Sequence, residues 1–159
     1  MNYQTWKSPV GRLHFVASDA GLAGLFFDEN WNPKSFGKLV RAPHPVIAHA
    51  IRELEEYFRG ERREFTVPLA VEGTPFQKRA WTALRAIPFG ETATYREQAA
   101  KLRMPKAFRA VGRANGLNPL CILVPCHRVV GSDGSLTGYA GGLKAKKALL
   151  TLERSHAIP

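Results

Sequence analysis

The chain has 159 residues, 45% of them hydrophobic, and a formal net charge of +10 at pH 7. This length can bury one good core, or two small ones, without help from disulfides or metals. No stretch approaches the roughly 18 consecutive apolar residues of a membrane span, and the first residues lack the basic-then-apolar order of a signal peptide. We therefore expect a cytoplasmic protein with no membrane partner. The two cysteines, five residues apart, argue against a disulfide framework.

The positive charge is unevenly distributed along the chain. Residues 1–72 contain nine Lys or Arg and nine Asp or Glu, whereas residues 73–159 contain fourteen Lys or Arg and four acids. The whole excess therefore belongs to the second half. This distribution favours nucleic acid as a partner over a basic surface that serves solubility alone.

The first part of the chain predicts a small sheet covered by a helix. Alternating apolar residues around Phe15 predict a strand, and the apolar run at residues 22–27 predicts a second strand after a turn. Residues 28–44 are polar and rich in turn formers, which predicts a long connection. From Pro45 the apolar spacing becomes helical, and this pattern stops at Gly60.

One more strand pattern, Phe65, Val67 and Leu69, ends this region, and we place a domain boundary near residue 72. Beyond the boundary the local signals are mainly helical. Capping residues and apolar spacing predict four helices, which begin near Thr74, Thr94, Lys106 and Leu143. A short turn separates the second helix from the third, so the pair has helix-turn-helix spacing.

The third predicted helix carries Lys106, Arg109 and Arg113, with small residues such as Ala110 and Ala114 between them. Its exposed side can therefore be both basic and low in profile, which suits close approach to DNA. An ordinary solvated helix is the alternative, because helix-turn-helix spacing alone is a weak signal. The charge asymmetry favours the DNA-binding interpretation.

Cys126 and His127 are the residues that most strongly suggest chemistry. An apolar run at residues 121–124 predicts a strand, and Pro125 bends the chain just before the thiol. Only a thiolate attacks carbon readily, so a reactive cysteine needs a base or a positive field, and an adjacent imidazole can supply one. The alternative is a small buried hydrophobic residue beside an ordinary histidine. Cys121, inside the apolar run, fits that alternative well.

The sequence closely resembles the O6-alkylguanine-DNA alkyltransferases. The segment Pro125-Cys126-His127-Arg128 matches their active-site signature. The likeness continues through Asn118-Pro119, Val129-Val130, residues 138–143 and Glu153. It is strong over residues 73–154, whereas residues 1–70 match only in the order of strands and helix.

The resemblance implies an α+β fold with two domains. Residues 1–72 would form a small α/β domain of antiparallel strands plus a helix, ribonuclease H-like. Residues 73–159 would form a mainly helical, winged helix-turn-helix-like domain for DNA binding and alkyl transfer. It also implies binding in the minor groove of double-stranded DNA and extrusion of the damaged base from the stack.

The activity implied is direct, irreversible and stoichiometric transfer of an alkyl group from O6-alkylguanine, and also from O4-alkylthymine, to the sulfur of Cys126. No cofactor is required, and the protein is spent in one turnover. We predict no metal, because no cysteine precedes Cys121 and the early histidines lack ligand spacing. We expect a monomer in solution, and the sequence leaves cooperative coating of DNA open.

The resemblance also implies roles for individual residues. The predicted catalytic residues are Cys126, His127, Glu153, Tyr95 and Asn118. In this interpretation His127 takes the thiol proton through a bridging water, Glu153 holds the imidazolium, and Tyr95 donates to the departing purine. From the residues alone, packing is the favoured role for Tyr95 and a turn the favoured role for Asn118.

Two further sets complete the predicted site. The predicted DNA-binding residues are Arg109, Ala110, Arg113, Ala114, Lys106, Thr94 and Arg128. The predicted substrate pocket consists of Tyr139, Ala140, Val129 and Lys146. Arg109 aligns with the family's arginine that enters the base stack. For Lys146, with two further lysines nearby, the sequence alone favours a solvated surface position.

Three other functions compete with alkyl transfer. A non-catalytic binder of alkylated DNA is disfavoured because such relatives lack the cysteine that stands here at position 126. A cysteine-dependent hydrolase would turn over repeatedly and would leave the basic second half unexplained. A plain DNA-binding regulator would not need the thiol.

Overall fold

The computed structural model describes residues 1–156. The chain divides into two compact units, Met1–Glu72 and Gly73–Pro159. The first unit is a sheet with one long helix and the second is mainly helical, so the predicted α+β class is confirmed. Among the described residues, no helix is both long enough and apolar enough to cross a membrane.

The first unit is built on a four-stranded sheet with the strand order β3-β2-β1-β4. Strands β1 to β3 pair in antiparallel fashion, and β4 adds to β1 in parallel. A helix, α1, packs against β2 and β3. The elements are β1 (Asn2–Ser8), β2 (Gly11–Ser18), β3 (Gly21–Phe27), β4 (Val40–Arg41) and α1 (Pro45–Phe58).

Burial of one face of α1 against the sheet forms the core of this unit. Its fully buried side chains include Leu13, Phe15, Leu25, Ile47 and Leu54. The helical spacing read from the sequence places the last two on the same face of α1, which explains why this segment is a helix and not another strand.

The predicted connection at residues 28–44 is more ordered than its composition suggested. It contains two short 3-10 turns and ends in β4. Trp31 anchors it, because its ring stacks against both Tyr3, at 5.0 Å, and His14, at 4.9 Å, measured between ring centroids. Aromatic stacking therefore replaces regular secondary structure here.

The predicted strand at residues 65–69 is wrong. The buried carboxylate of Glu53 accepts hydrogen bonds from the backbone amides of Thr66 and Val67, each at 2.9 Å. Pro68 has no amide hydrogen to donate. A ladder cannot form when its donors are bound elsewhere or missing, so only one isolated bridge to β3 remains.

The second unit contains a helix-turn-helix formed by two of its helices, α3 and α4. These pack with α2 around a small apolar core, and a two-stranded parallel sheet joins the start of α3 to the segment after the Cys126 turn. The elements are α2 (Pro75–Arg85), β5 (Ala93–Thr94), α3 (Tyr95–Lys101), α4 (Phe108–Gly116), β6 (Val129–Val130) and α5 (Leu143–His156).

Two buried amide side chains lock α3 to α4. Gln98 donates to Asn115 Oδ1 at 2.9 Å, and Asn115 Nδ2 donates back to Gln98 Oε1 at 2.8 Å. Gln98 Nε2 also lies 3.2 Å from the carbonyl oxygen of Ala80 on α2. All three helices of the core are therefore joined by directional bonds in addition to apolar packing.

Residues 121–124 do not form the strand that their apolar run predicted. Backbone hydrogen bonds close successive turns in this segment, and Ile122 has a left-handed φ of 72°. Asn118 holds this conformation, because its Nδ2 donates to the Val124 carbonyl at 2.8 Å and its Oδ1 accepts from the Leu120 amide at 2.9 Å. The residues of this run are buried because they form a compact turn inside the core, and not because they form a strand.

Replacing Gln98 with Ala is expected to lower the free energy of unfolding by about 1–3 kcal/mol, because the amide of Asn115 stays buried without its partner. Chemical denaturation of the variant and the wild type measures this difference. Lys101→Ala on the exposed side of α3 is the control and should change stability little. Equal stability of Gln98→Ala and the wild type would contradict the role given to the amide pair.

Candidate active site

Cys126 begins a 3-10 turn that also contains His127 and Arg128. The predicted strand end is therefore a turn. Neighbouring residues of a strand would point to opposite faces, and the turn does not impose this on Cys126 and His127. Asn118 Nδ2 lies 3.3 Å from the Cys126 sulfur. The side chain that shapes residues 118–124 thus also contacts the thiol.

The environment of Cys126 keeps the thiol protonated at neutral pH. Burial raises the pKa of Cys126, and the hydrogen bond from Asn118 and the charge of Lys146 offset this only in part. The residue nevertheless remains partly exposed, whereas Cys121 is buried. A nucleophile of this kind needs a base to accept its proton as it reacts.

His127 is fully buried and has a defined orientation. Its Nε2 lies 2.6 Å from Glu153 Oε2. An ionised carboxylate only accepts hydrogen bonds, so Nε2 carries the hydrogen and Nδ1 carries the lone pair. Nδ1 has no hydrogen-bond partner among residues 1–156. Burial lowers the pKa of His127, against the influence of Glu153, so the ring is neutral and able to accept a proton.

Glu153 is held by two hydrogen-bond donors. Besides His127, Arg128 donates from Nε to Oε1 at 2.8 Å and from Nη2 to Oε2 at 3.0 Å. Burial alone would raise the pKa of Glu153, but the hydrogen bonds from both partners and the charge of Arg128 outweigh it and lower the pKa to about 2. The carboxylate is therefore ionised throughout the neutral range.

The prediction of Arg128 as a DNA contact is wrong. Only 6% of this residue is exposed, and its Nη1 donates to the Ile87 carbonyl at 2.7 Å while its other nitrogens bind Glu153. A buried guanidinium requires such partners. The sequence did contain a signal, because Arg128 lies in an apolar stretch and Glu153 follows the apolar Leu149 and Leu150.

Lys146 has a different place from the one that the sequence alone favoured. It is fully buried, and its Nζ donates to the Thr137 carbonyl at 2.7 Å. Burial lowers the pKa of Lys146, and proximity to Cys126 opposes this. Lys146 thus fastens the glycine-rich loop at residues 131–142 to α5 and puts a cationic group near the thiol.

A pocket of about 460 Å³ opens beside Cys126. Of the predicted residues, it is lined by Tyr95, Asn118, Cys126, Tyr139 and Ala140. The sequence did not single out its other lining residues, which include Asn115, Gly116, Cys121, Thr137 and Gly138. Most are small or lie in turns, and such residues carry little signal of function.

Val129 was predicted to line the pocket, and this is wrong. It is fully buried in β6, where it pairs with Ala93 of β5. Lys146 does not line the pocket either and acts on it through Thr137, which does. The pocket therefore depends on the loop and on α4 more than on the strand after the cysteine.

The residues predicted to bind DNA on and before α4 differ in their exposure. Arg109, Ala110 and Arg113 are exposed on this helix, and Lys106 is exposed in the turn before it, because α4 begins at Phe108. Ala114 is buried at 3% exposure and belongs to the core, so its prediction as a DNA contact is wrong.

Thr94 occupies a position with a clear structural role. Its hydroxyl accepts from the Glu97 amide at 3.1 Å, and the Glu97 side chain accepts from the Thr94 amide at 3.1 Å, so the two residues form a capping box. This box fixes the start of α3 and with it Tyr95 at the wall of the pocket.

Within residues 1–156, no group of three or more His, Cys, Asp or Glu is arranged to hold a metal ion.

Comparison with known proteins identifies both units. The chain matches the 6-O-methylguanine DNA methyltransferase ribonuclease-like domain over residues 1–71 and the 6-O-methylguanine DNA methyltransferase DNA binding domain over residues 75–155. It is 46% identical to a methylated-DNA–protein-cysteine methyltransferase of Mycolicibacterium paratuberculosis, over 99% of this chain and 94% of the relative. A constitutive enzyme of the same name from Bacillus subtilis is 44% identical, over 97% and 96%.

A solved structure agrees with these relatives. The chain is similar to the Mycobacterium tuberculosis OGT in complex with DNA, with a TM-score of 0.92, 44% sequence identity, and coverage of 99% of this chain and 95% of that one. The resemblance that the sequence motifs indicated is confirmed over nearly the full length. The chain belongs to the 6-O-methylguanine DNA methyltransferase family.

Proposed function

We propose that this protein repairs DNA by transferring an alkyl group from O6-alkylguanine, and from O4-alkylthymine, irreversibly to Cys126. One observation carries the proposal: a partly exposed thiol lines a pocket of about 460 Å³ and directly precedes a neutral, buried histidine that a carboxylate orients. The names of the relatives support the same reaction. The protein acts on double-stranded DNA and needs no cofactor.

The chemistry balances without a second substrate. The thiol proton passes to Nδ1 of His127 through a bridging water, and Glu153 stabilises the imidazolium. The sulfur then forms a bond to the alkyl carbon while the bond from that carbon to O6 breaks. The electron pair goes to the purine, and the Tyr95 hydroxyl donates a hydrogen bond to it.

The product explains why each molecule acts once. A thioether on Cys126 has no ready route to hydrolysis, so the thiol is not regenerated. The reaction requires a free thiol beforehand, which suits a reducing compartment, and we place the protein in the cytoplasm for that reason.

The lesion must leave the base stack before the sulfur can reach it. Extrusion of a base costs a few kcal/mol, and a side chain that fills the gap lowers this cost. Arg109 on the exposed face of α4 is placed to do so from the minor groove, and the small Ala110 beside it permits close approach. Lys106 and Arg113 contact phosphates, so binding weakens with salt.

A non-catalytic lesion binder remains the alternative from another class of function. The pocket and the basic helix would serve such a protein equally well. Burial of the hydrogen-bonded network of His127, Glu153 and Arg128 costs free energy, because three ionisable groups lose their water. A protein that only binds the lesion does not need this network. A cysteine-dependent hydrolase would need repeated turnover.

Incubation with an oligonucleotide that contains O6-methylguanine is expected to add one methyl group to the protein, mapped to Cys126, with equal loss of the lesion. Intact-protein mass and peptide mapping measure both. Cys126→Ala should gain no mass and leave the lesion intact. Cys121→Ala is the control and should still be methylated. Tight lesion binding by the wild type without any mass change would contradict alkyl transfer and favour the non-catalytic binder.

The low pKa of Glu153 predicts a loss of stability in acid. A carboxyl group whose pKa falls from its ordinary value of 4.5 to about 2 on folding stabilises the protein fully above pH 4.5, and this contribution disappears as the pH falls towards about 2. Glu153→Gln should therefore be less stable than the wild type at neutral pH, and the difference should shrink over this range.

Denaturation midpoints between neutral pH and about pH 2 measure the effect. Glu91→Gln, an exposed carboxyl on the same unit, is the control and should follow the wild type. If Glu153→Gln gains nothing relative to the wild type in acid, the ion network does not lower the pKa of Glu153 as described.

A further inference from the structure

A second groove opens beside the pocket that holds Cys126. Its volume is about 330 Å³, and Tyr95, Gly112 and Thr137 line both cavities, so the two share a wall. Arg96 and Phe108 line only this second groove. Neither the sequence motifs nor the proposed transfer step gives these two residues a role.

Arg96 is pre-oriented by an aromatic ring. The carbon at the centre of its guanidinium lies 4.3 Å from the centroid of the Phe108 ring, and the corresponding carbon of Arg109 lies 5.8 Å from the same centroid. Phe108 itself packs against the core of the helix-turn-helix, which fixes the ring. The stacked guanidinium therefore has fewer conformations to lose when it binds a ligand.

The groove has the charge of an anion site. Arg96 and Arg109 are exposed, and neither forms an ion pair with a carboxylate among residues 1–156. Gly131 and Ser132 also line the groove, and both are small and uncharged. A planar guanidinium can bind two oxygens of a phosphate in bidentate geometry. The anions that DNA supplies are phosphates and not carboxylates.

We propose that this groove binds the phosphodiester next to the extruded nucleotide, with Arg96 as the contacting cation and Phe108 as the residue that positions it. The inference rests on the proposed function, because an alkylated base in the pocket brings its own backbone past the shared wall at Tyr95. In that function Arg109 fills the gap in the base stack, so it does not contact the phosphodiester. Arg96 is the neighbouring cation that can contact it.

The test compares a DNA substrate with a free base. Arg96→Ala should weaken binding to a duplex with O6-methylguanine by about five- to tenfold, since one charge-assisted contact is lost. The slope of log affinity against log salt should fall by about 1. Methylation of Cys126 by free O6-methylguanine base should be unchanged, because the free base has no phosphate.

Two further variants separate charge from orientation. Arg96→Lys keeps the charge but not the planar fork, so its affinity should lie between those of the wild type and Arg96→Ala. Phe108→Leu keeps an apolar side chain for the core but removes the ring. It should weaken duplex binding less in the Arg96→Ala background than in the wild type, because the part of its effect that passes through Arg96 is then absent.

Arg85→Ala, an exposed arginine on α2 that lines neither cavity, is the control. If Arg96→Ala binds the duplex like Arg85→Ala, or if its reaction with the free base falls as much as its reaction with DNA, the phosphate groove is refuted. A wild-type protein that takes no methyl group from the duplex would instead refute the proposed function itself. The two failures are therefore distinguishable.

Discussion

The buried carboxylate of Glu153 determines the chemistry of this protein. It binds His127 on one oxygen and Arg128 on both, and the three side chains are almost completely removed from solvent. Breaking such a network by removing one partner leaves an uncompensated buried charge. The network therefore fixes the His127 ring, keeps its Nε2 protonated, and leaves Nδ1 as the basic atom. The turn that begins at Cys126 depends on this network, because it also contains His127 and Arg128, two of the three residues of the network.

The pocket depends on a second set of buried polar contacts. Asn118 ties residues 120–126 into a turn and reaches the Cys126 sulfur, and Lys146 holds the loop at Thr137. The amide pair of Gln98 and Asn115 fixes α4 against α3. These bonds fix two helices against each other, hold the segment at residues 120–126 in its turn, and tie the loop at Thr137 to α5. An active site built mainly from turns thereby gains the rigidity that transfer from an extruded base requires.

The sequence predicted the elements whose signal lies in spacing or capping residues and missed those that depend on particular side-chain hydrogen bonds. Helical spacing and capping residues located the helices, and the Pro125–Arg128 motif identified the thiol and its histidine. The apolar run at residues 121–124 predicted a strand. Periodicity cannot reveal the hydrogen bonds of the Asn118 side chain that hold this run in a turn. Arg128 was assigned to DNA because its charge is visible in the sequence, whereas its pairing with Glu153, 25 residues away, is not.

The protonation state of His127 tests the central claim most directly. Nitrogen-15 NMR of the labelled imidazole reports which ring nitrogen carries the hydrogen and whether the ring is charged. A neutral ring with hydrogen on Nε2 at neutral pH, which persists below the ordinary histidine pKa of 6.5, is the predicted result, because Glu153 sets the tautomer and burial lowers the pKa of His127. An imidazolium at neutral pH, or a neutral ring with hydrogen on Nδ1, would contradict it, because neither form offers a base to the thiol of Cys126.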